Sequence, residues 1–300
     1  MKTDLIIIGA GPAGLTAGIY AKRAGLDVAI IEKFTPGGQM TLTQSIENYP
    51  GFEKIDGFEL SDKMHKHAES AGCTFLFEDV LSIDAKQKTV TTNAGTHEAK
   101  AIIIASGATA RKLGLEKEDK LIGRGISYCA TCDGALFRGK TVAVVGGGNT
   151  ALEDSMYLAN FAKKVYLIHR RDAFRGDDIL VKQLQTKGTV EVLYNSVTET
   201  LLGEEGLEGI EIKNVKTGEL STLKLDGLFI AIGRKPDTEL TEGQIETDQN
   251  GYITVDSECQ TSVPGVFAAG DVTNSQLKQI VTACAQGAIA GNAAARFVKQ

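Results

Sequence analysis

Twice in this chain an apolar run ends in a glycine-rich turn and continues as a helix and a second apolar run. The first copy is residues 5–8, then Gly9-Ala10-Gly11-Pro12-Ala13-Gly14, a helix over 15–23, and a strand over 28–31 that ends at Glu32. The second is residues 141–145, then Gly146-Gly147-Gly148-Asn149-Thr150-Ala151, a helix over 153–161 and a strand over 164–168. Continuous apolar strands are buried on both faces, as in a parallel sheet. Strand, G-x-G-x-x-G or G-x-G-x-x-A, helix, strand is the dinucleotide fingerprint in its proper context. The glycines let the backbone approach a pyrophosphate, and the helix N-terminus faces its negative charge. The expected fold is therefore α/β, with two Rossmann-like dinucleotide-binding domains.

The two copies differ where nucleotides are told apart. Glu32 ends the second strand of the first unit and suits ribose hydroxyls. The same spacing counted from Gly146 leads to His169, followed by Arg170, Arg171 and Arg175. Arginine clamps a 2′-phosphate with two charge-assisted hydrogen bonds. The first unit thus suits FAD or NAD and the second NADP. With Asp177 and Asp178 close by, NADH stays open as an alternative.

A few residues ahead of the second unit stands Cys129-Ala130-Thr131-Cys132-Asp133. Two cysteines at this spacing form either a redox-active pair or half of a metal site. A zinc site needs two further ligands, and none stands at a recognisable spacing. Asp133 is a candidate acid. Cys73, Cys259 and Cys284 have no partner at such spacing and read as packing residues. Five cysteines, with no export signal at the start, point to a cytoplasmic protein. Net charge is −6 with no long basic run, which argues against nucleic acid and anionic membranes as main partners. No run of 18 apolar residues exists to span a bilayer.

Elsewhere the pattern is coarser. Residues 57–71 read as an amphipathic helix with Phe58, Leu60, Met64, His67 and Ala68 inward. His65 and His67 lie on different faces and lack metal-ligand neighbours. Residues 101–105 read as a buried strand ending in the small-residue turn Ser106-Gly107-Ala108-Thr109. The pattern loosens over 111–125, where a domain crossover is expected. Strands follow around 190–194, 207–213, 221–225 and 228–232, the last ending at Gly233. A polar return crossover spans 237–250. A strand over 265–272 ends in Gly270-Asp271, and a helix over 276–299 carries Gly287 and Gly291 for close packing.

Together these motifs resemble the low-molecular-weight (bacterial-type) thioredoxin reductases of the pyridine nucleotide-disulfide oxidoreductase family, over nearly the whole chain. The resemblance implies a discontinuous FAD domain, residues 1–112 and 241–300, with an NADPH domain inserted at 113–240. FAD would be held by Gly9, Gly11, Pro12, Ala13, Gly14, Glu32, Lys33, Gly38, Gln39, Asn48, Gly107, Gly270, Asp271, Lys278, Gln279 and Ile280. NADPH would be held by Gly148, Asn149, Thr150, Ala151, Glu153, His169, Arg170, Arg171, Arg175 and Gly233. Lys278 stands where members often carry arginine, and Ser106 where threonine is usual. Electrons would run from NADPH to FAD, to a Cys129–Cys132 disulfide, and on to thioredoxin. Cys132 would lie nearer the flavin, Cys129 would attack the partner, and Asp133 would protonate a leaving thiolate. The inserted domain would rotate between half-reactions, about hinges near 113–123 and 234–241, and the enzyme would work as a homodimer. The rivals are a related flavin disulfide reductase or dithiol oxidase, the reductase of a peroxidase system, which usually carries an extra N-terminal redox domain, and a redox sensor without turnover.

Overall fold

The apolar runs become strands. The structure, a computed structural model, describes residues 1–43 and 46–300. First come β1 (Lys2–Ile8), α1 (Pro12–Arg23), β2 (Val28–Glu32), α2 (Gly57–Ser70), β3 (Thr74–Phe77), β4 (Val80–Asp84), β5 (Thr89–Thr92), β6 (Gly95–Ile104) and β7 (Ala108–Ala110). Then follow α3 (Glu118–Leu121), β8 (Ile126–Ser127), α4 (Ala130–Asp133), β9 (Thr141–Gly146), α5 (Asn149–Leu158), β10 (Lys164–Ile168), α6 (Asp178–Gln185), β11 (Val190–Leu193), β12 (Ser196–Leu202), β13 (Gly209–Asn214), β14 (Leu220–Lys224) and β15 (Gly227–Ala231). The chain closes with β16 (Arg234–Pro236), β17 (Val266–Ala268) and α7 (Ile280–Val298). Residues Met1–Thr109 with Lys235–Gln300 form one compact unit, and Ala110–Arg234 form a second, inserted into it.

In the first unit the sheet runs β3-β2-β1-β6-β5-β4, with β17 also paired to β6. The first half of β6 pairs antiparallel with β5 and its second half parallel with β17. Alternate residues of β1 serve opposite faces. Leu5 and Ile7 pack towards α1 and α7, while Ile6 and Ile8 join Ile31, Ile102, Ile104 and Ile253 on the other side. Leu5, Ile6, Ile7, Ile30 and Ile103 are fully buried, and each such burial contributes roughly 1.5–3 kcal/mol.

Helices α1 and α7 touch backbone to backbone. A Cβ on Gly287 would lie 2.2 Å from the Ala13 carbonyl oxygen, and one on Gly291 2.5 Å from that of Ala17. The small residues of α7 thus serve core packing, as their composition predicts. Gly291→Ala is expected to lower stability by about 1–3 kcal/mol through overpacking, read from the denaturant midpoint.

The amphipathic reading of α2 needs correction at two positions. Leu60 and Ala68 are buried and Met64 packs against the core, but Phe58 is 58% exposed and His67 is exposed. Phe58 lies two residues from Leu60, which turns it to the opposite side. His67, in the last turn, lines a shallow surface cleft with Ile19, Lys22 and Arg23. The helix start is set by Asp56, whose carboxylate accepts the N–H groups of Phe58 and Glu59 at 2.9 and 3.1 Å.

The second unit has a parallel sheet, β11-β10-β9-β15-β8, and an antiparallel one, β12-β13-β14. Val142, Val144, Val165, Leu167 and Phe229 face α5 and α6, and Ala143, Val145, Leu228 and Ile230 face Ile210 and Ile212 of β13. Helix α6 and strand β12 have no counterpart in the sequence reading. In α6 Leu180, Val181 and Leu184 turn one face to the core, and in the short β12 only Ser196 and Leu201 are buried. Among the described residues no helix is long and apolar enough to cross a membrane.

Candidate functional site

In the first unit the fingerprint glycines divide their work. Gly9 has φ +99°, and a Cβ there would lie 2.4 Å from the Ala105 carbonyl oxygen. A Cβ on Gly14 would lie 1.9 Å from the carbonyl oxygen of Gly9. These two lock turn, helix and sheet together. Gly11 is different, because nothing lies within 4 Å of where its Cβ would stand. The backbone is bare towards open space there, as a pyrophosphate requires, and Pro12 and Ala13 open α1 directly behind it.

Around this turn stand the other residues expected to meet a dinucleotide. Glu32 accepts the N–H of Ala10 at 2.9 Å and that of Phe34 at 3.1 Å, so the acid is oriented by the loop it serves. Lys33 pairs with Asp79 at 2.8 Å. The N–H of Gly37 reaches the Ala10 carbonyl at 2.7 Å, which brings Gly38 and the exposed Gln39 against the turn. Gly107 also borders open space. The Asn48 amide donates to the Gln279 side chain at 3.0 Å, and Gln279 caps α7. Ile280 packs on the cluster of Met40 and Leu60. The Lys278 ammonium donates to the Thr273 carbonyl at 2.6 Å and lies 4.2 Å from the centre of the Tyr252 ring. Gln286, which the sequence pattern does not single out, accepts the Gly270 N–H at 2.7 Å and the Thr273 hydroxyl at 3.3 Å. It thereby ties the Gly270-Asp271 turn to α7. Bare backbone, an oriented acid and a polar rim fit an adenine dinucleotide carrying a pyrophosphate.

The second unit repeats the turn. A Cβ on Gly146 would lie 2.4 Å from the Ala231 carbonyl oxygen, whereas Gly148 borders open space. Asn149 and Thr150 are exposed at the start of α5, Ala151 is buried behind them, and Glu153 is exposed one turn on. Gly233 is exposed just beyond β15 with φ +104°. Arg170, Arg171 and Arg175 are exposed, and among the described residues none of them takes part in an ion pair. Arg175 is placed by its N–H, 2.8 Å from the Gly147 carbonyl. Asp177 is engaged by Asn149, which it meets through two hydrogen bonds of 2.9 and 2.8 Å. His169 does not face outward with the arginines. It is 5% exposed, lies beneath Gly147, and sets its ring nitrogens 2.9 Å from the carbonyls of Gly146 and Ala173. The exposed cations suit a phosphate, and His169 binds the loops that present them.

The same unit carries the sulfur pair. Cys129 and Cys132 form a disulfide with Cα atoms 5.3 Å apart. Cys129 caps α4, and its sulfur lies 3.2 Å from the Cys132 N–H and 3.4 Å from the Thr131 hydroxyl. Asp133 is half-buried, and burial pushes its carboxyl above the usual carboxylate range, opposed by a hydrogen bond from Ser127. That bond is 2.6 Å, and the Ser127 oxygen also accepts the Cys129 N–H at 3.0 Å.

Behind this loop lies a buried carboxylate with no motif to announce it. Glu118 is 2% exposed and accepts the N–H groups of Leu113, Gly114 and Leu115 at 3.0, 2.8 and 3.2 Å. It also accepts the Tyr128 hydroxyl at 2.6 Å. Burial, then that carboxylate, pushes the Tyr128 hydroxyl well above its ordinary value. On α5, burial and the neighbouring Glu153 raise the Asp154 carboxyl to about 7, against the pull of Arg234. Among the described residues no group of three His, Cys, Asp or Glu stands close enough to hold a metal ion.

Comparison with known proteins agrees with this arrangement. The model of the family described as pyridine nucleotide-disulphide oxidoreductase matches residues 3–287. A curated thioredoxin reductase of Listeria innocua is 46% identical over 301 residues, covering 99% of this chain and 94% of the relative. One from Bacillus subtilis is 44% identical over 300 residues, covering 99% and 95%. The crystal structure of thioredoxin reductase from Streptococcus pyogenes superposes with a TM-score of 0.94 at 42% identity, covering 99% of this chain and 98% of that one. Two fingerprint turns, a disulfide beside a half-buried acid, and likeness along the whole length place the chain in the pyridine nucleotide-disulphide oxidoreductase family, in its low-molecular-weight thioredoxin reductase branch.

Proposed function

We propose that the protein is a thioredoxin-disulfide reductase that draws electrons from NADPH, holds FAD, and works as a homodimer in the cytoplasm. The observation that carries this reading is the Cys129–Cys132 disulfide beside the half-buried Asp133, on the unit with the arginine-flanked turn. When bound, NADPH supplies a hydride and FAD a two-electron carrier able to reduce a disulfide. The first-unit turn at Gly11, with Glu32, Gly107, Asn48, Gly270, Asp271 and Gln279, would hold the flavin nucleotide. The turn at Gly148, with Arg170, Arg171 and Arg175, would hold the other.

The chain's own chemistry is thiol–disulfide exchange. The reduced Cys129, as its thiolate and with the Cys132 N–H and the Thr131 hydroxyl beside its sulfur, attacks the partner disulfide. A mixed disulfide forms, and the partner's other sulfur leaves with the electron pair and takes a proton from Asp133. Asp133 recovers a proton from the Cys132 thiol as Cys132 attacks the mixed disulfide. The bond between Cys129 and the partner breaks, the second partner sulfur leaves with that electron pair as a thiolate, and the Cys129–Cys132 bond is restored. Dithiol and pyridine-nucleotide turn ride on one unit and the flavin turn on the other, so the inserted unit must rotate between half-reactions. We place its hinges at the unit boundaries, 109–110 and 234–235. Residues 113–115 are tied to Glu118 within the inserted unit and travel with it.

Anaerobic titration tests the reading. The purified protein is expected to be yellow, to bleach with NADPH more readily than with NADH, and to reduce oxidised thioredoxin. A colourless protein, or one that consumes oxygen rapidly with a dithiol and no NADPH, would overturn it. Replacing Arg170 or Arg171 with alanine is expected to weaken NADPH by about 10- to 100-fold, the loss of one charge-assisted hydrogen bond. NADH binding should stay within a few-fold, and a matching loss for both would dissociate these arginines from the 2′-phosphate.

A further inference from the structure

Ser127 ends β8 at the edge of the parallel sheet, in register with Phe229, and is 4% exposed. A hydroxyl has one proton to give and two lone pairs. Here one lone pair takes the Cys129 N–H at 3.0 Å, and the proton goes to Asp133 Oδ2 at 2.6 Å, with the Cys129 carbonyl 3.3 Å away as a second acceptor. We propose that Ser127 is a positioning residue for proton transfer at this dithiol, its hydroxyl holding Asp133 to the Cys129 peptide and changing acceptor when that acid gains its proton.

The geometry accommodates both states of the acid. With Asp133 ionised, Ser127 donates to the carboxylate. With Asp133 protonated, the carboxyl proton finds the free lone pair of Ser127, and the serine proton turns to the Cys129 carbonyl. One rotation about the serine Cβ–Oγ bond serves the change, and the backbone stays paired throughout. Two causes act on the proton affinity of Asp133: burial raises it, and the Ser127 hydrogen bond lowers it. The neighbouring Tyr128 hydroxyl is committed to Glu118. On α5, which packs against α4, Glu153 and Arg234 act on Asp154. The remaining titrating groups of the site are the thiols of Cys129 and Cys132 in the reduced dithiol.

The inference rests on the reading of Asp133 as the acid. It is tested by the pH dependence with which the NADPH-reduced holoprotein is reoxidised by oxidised thioredoxin, followed by stopped flow. The carboxyl stretch of Asp133 in infrared difference spectra is titrated in parallel. Without the serine hydroxyl the carboxylate loses a bond that favours it, so the carboxyl keeps its proton to higher pH. In Ser127→Ala both the basic limb of the rate profile and the infrared titration are expected to move up by about one to two pH units. Ser127→Thr should restore the wild-type limb, and Ser127→Val, its isostere without the hydroxyl, should not. The Thr and Val pair decides the matter if the alanine protein folds poorly. An unmoved limb in both Ala and Val variants overturns the role of Ser127. A wild-type limb in Asp133→Asn instead overturns the reading of Asp133 as the acid.

Discussion

The Cys132→Ser protein is expected to bleach with NADPH as the wild type does, and to pass no electrons to thioredoxin. Serine cannot form the bond to Cys129, so the variant would still take electrons from NADPH at its flavin but has no disulfide to relay them. The variant separates the roles of the two sulfurs. Cys129 is left as a lone thiol, and in the disulfide form its sulfur lies 3.2 Å from the backbone N–H of position 132 and 3.4 Å from the Thr131 hydroxyl. It should capture thioredoxin as a mixed disulfide that persists, because its resolving partner is gone. Cys129→Ser should also lose turnover, but should trap no partner. Gel analysis without reductant, beside a thioredoxin reduction assay, reads both results. Normal turnover in Cys132→Ser would remove the pair from the reaction, and equal trapping by both variants would remove the assignment of Cys129 as the attacking sulfur.

The second large effect is structural. Glu118→Ala is expected to cost about 3–5 kcal/mol, because it strips four donors of their acceptor in a buried site. Those donors are the N–H groups of Leu113, Gly114 and Leu115 and the Tyr128 hydroxyl. Glu118→Gln should fall in between, since an amide offers one acceptor oxygen and sets its own N–H groups against the remaining donors. Tyr128→Phe removes one hydrogen bond and should cost the least. Denaturant unfolding gives the order. Because Tyr128 directly precedes Cys129, the alanine variant should also expose the reduced dithiol to faster alkylation. An unfolding free energy within about 0.5 kcal/mol of wild type for Glu118→Ala, the range of an ordinary surface change, would show that water satisfies these groups and that Glu118 organises nothing.

Neither Glu118 nor Ser127 was legible in the sequence. Glu118 sits in a charged stretch, Glu116-Lys117-Glu118-Asp119-Lys120, where Glu116, Asp119 and Lys120 are exposed, Lys117 is half-exposed and Glu118 alone is buried. Composition marks such a stretch as solvated, and only the turn that wraps 113–115 over one carboxylate reverses this. Ser127 lies two residues ahead of Cys129 in a two-residue strand, with nothing in its identity to distinguish it from an ordinary core serine. His169 shows the complementary limit. Spacing locates it at the discriminating position of the second unit, but the side chain turns inward between two carbonyls while the arginines after it face solvent. On α2, periodicity held for Leu60, Met64 and Ala68 and failed at Phe58, which lies on the side of the helix opposite Leu60, and at His67, which is exposed.

What the sequence determined by itself was everything held in short covalent spacing: two strand–turn–helix units, glycines where backbone must stay bare, an acid on one unit against a basic cluster on the other, and two cysteines close enough to bond. These follow from local geometry, which neighbouring residues settle among themselves. The tertiary structure alone decided which buried polar groups answer one another. Gln286 reaches Gly270, Glu118 reaches Tyr128, and Ser127 joins Asp133 to Cys129. A polar atom taken from water must find a partner, and which partner it finds depends on which segments the fold has already brought beside it.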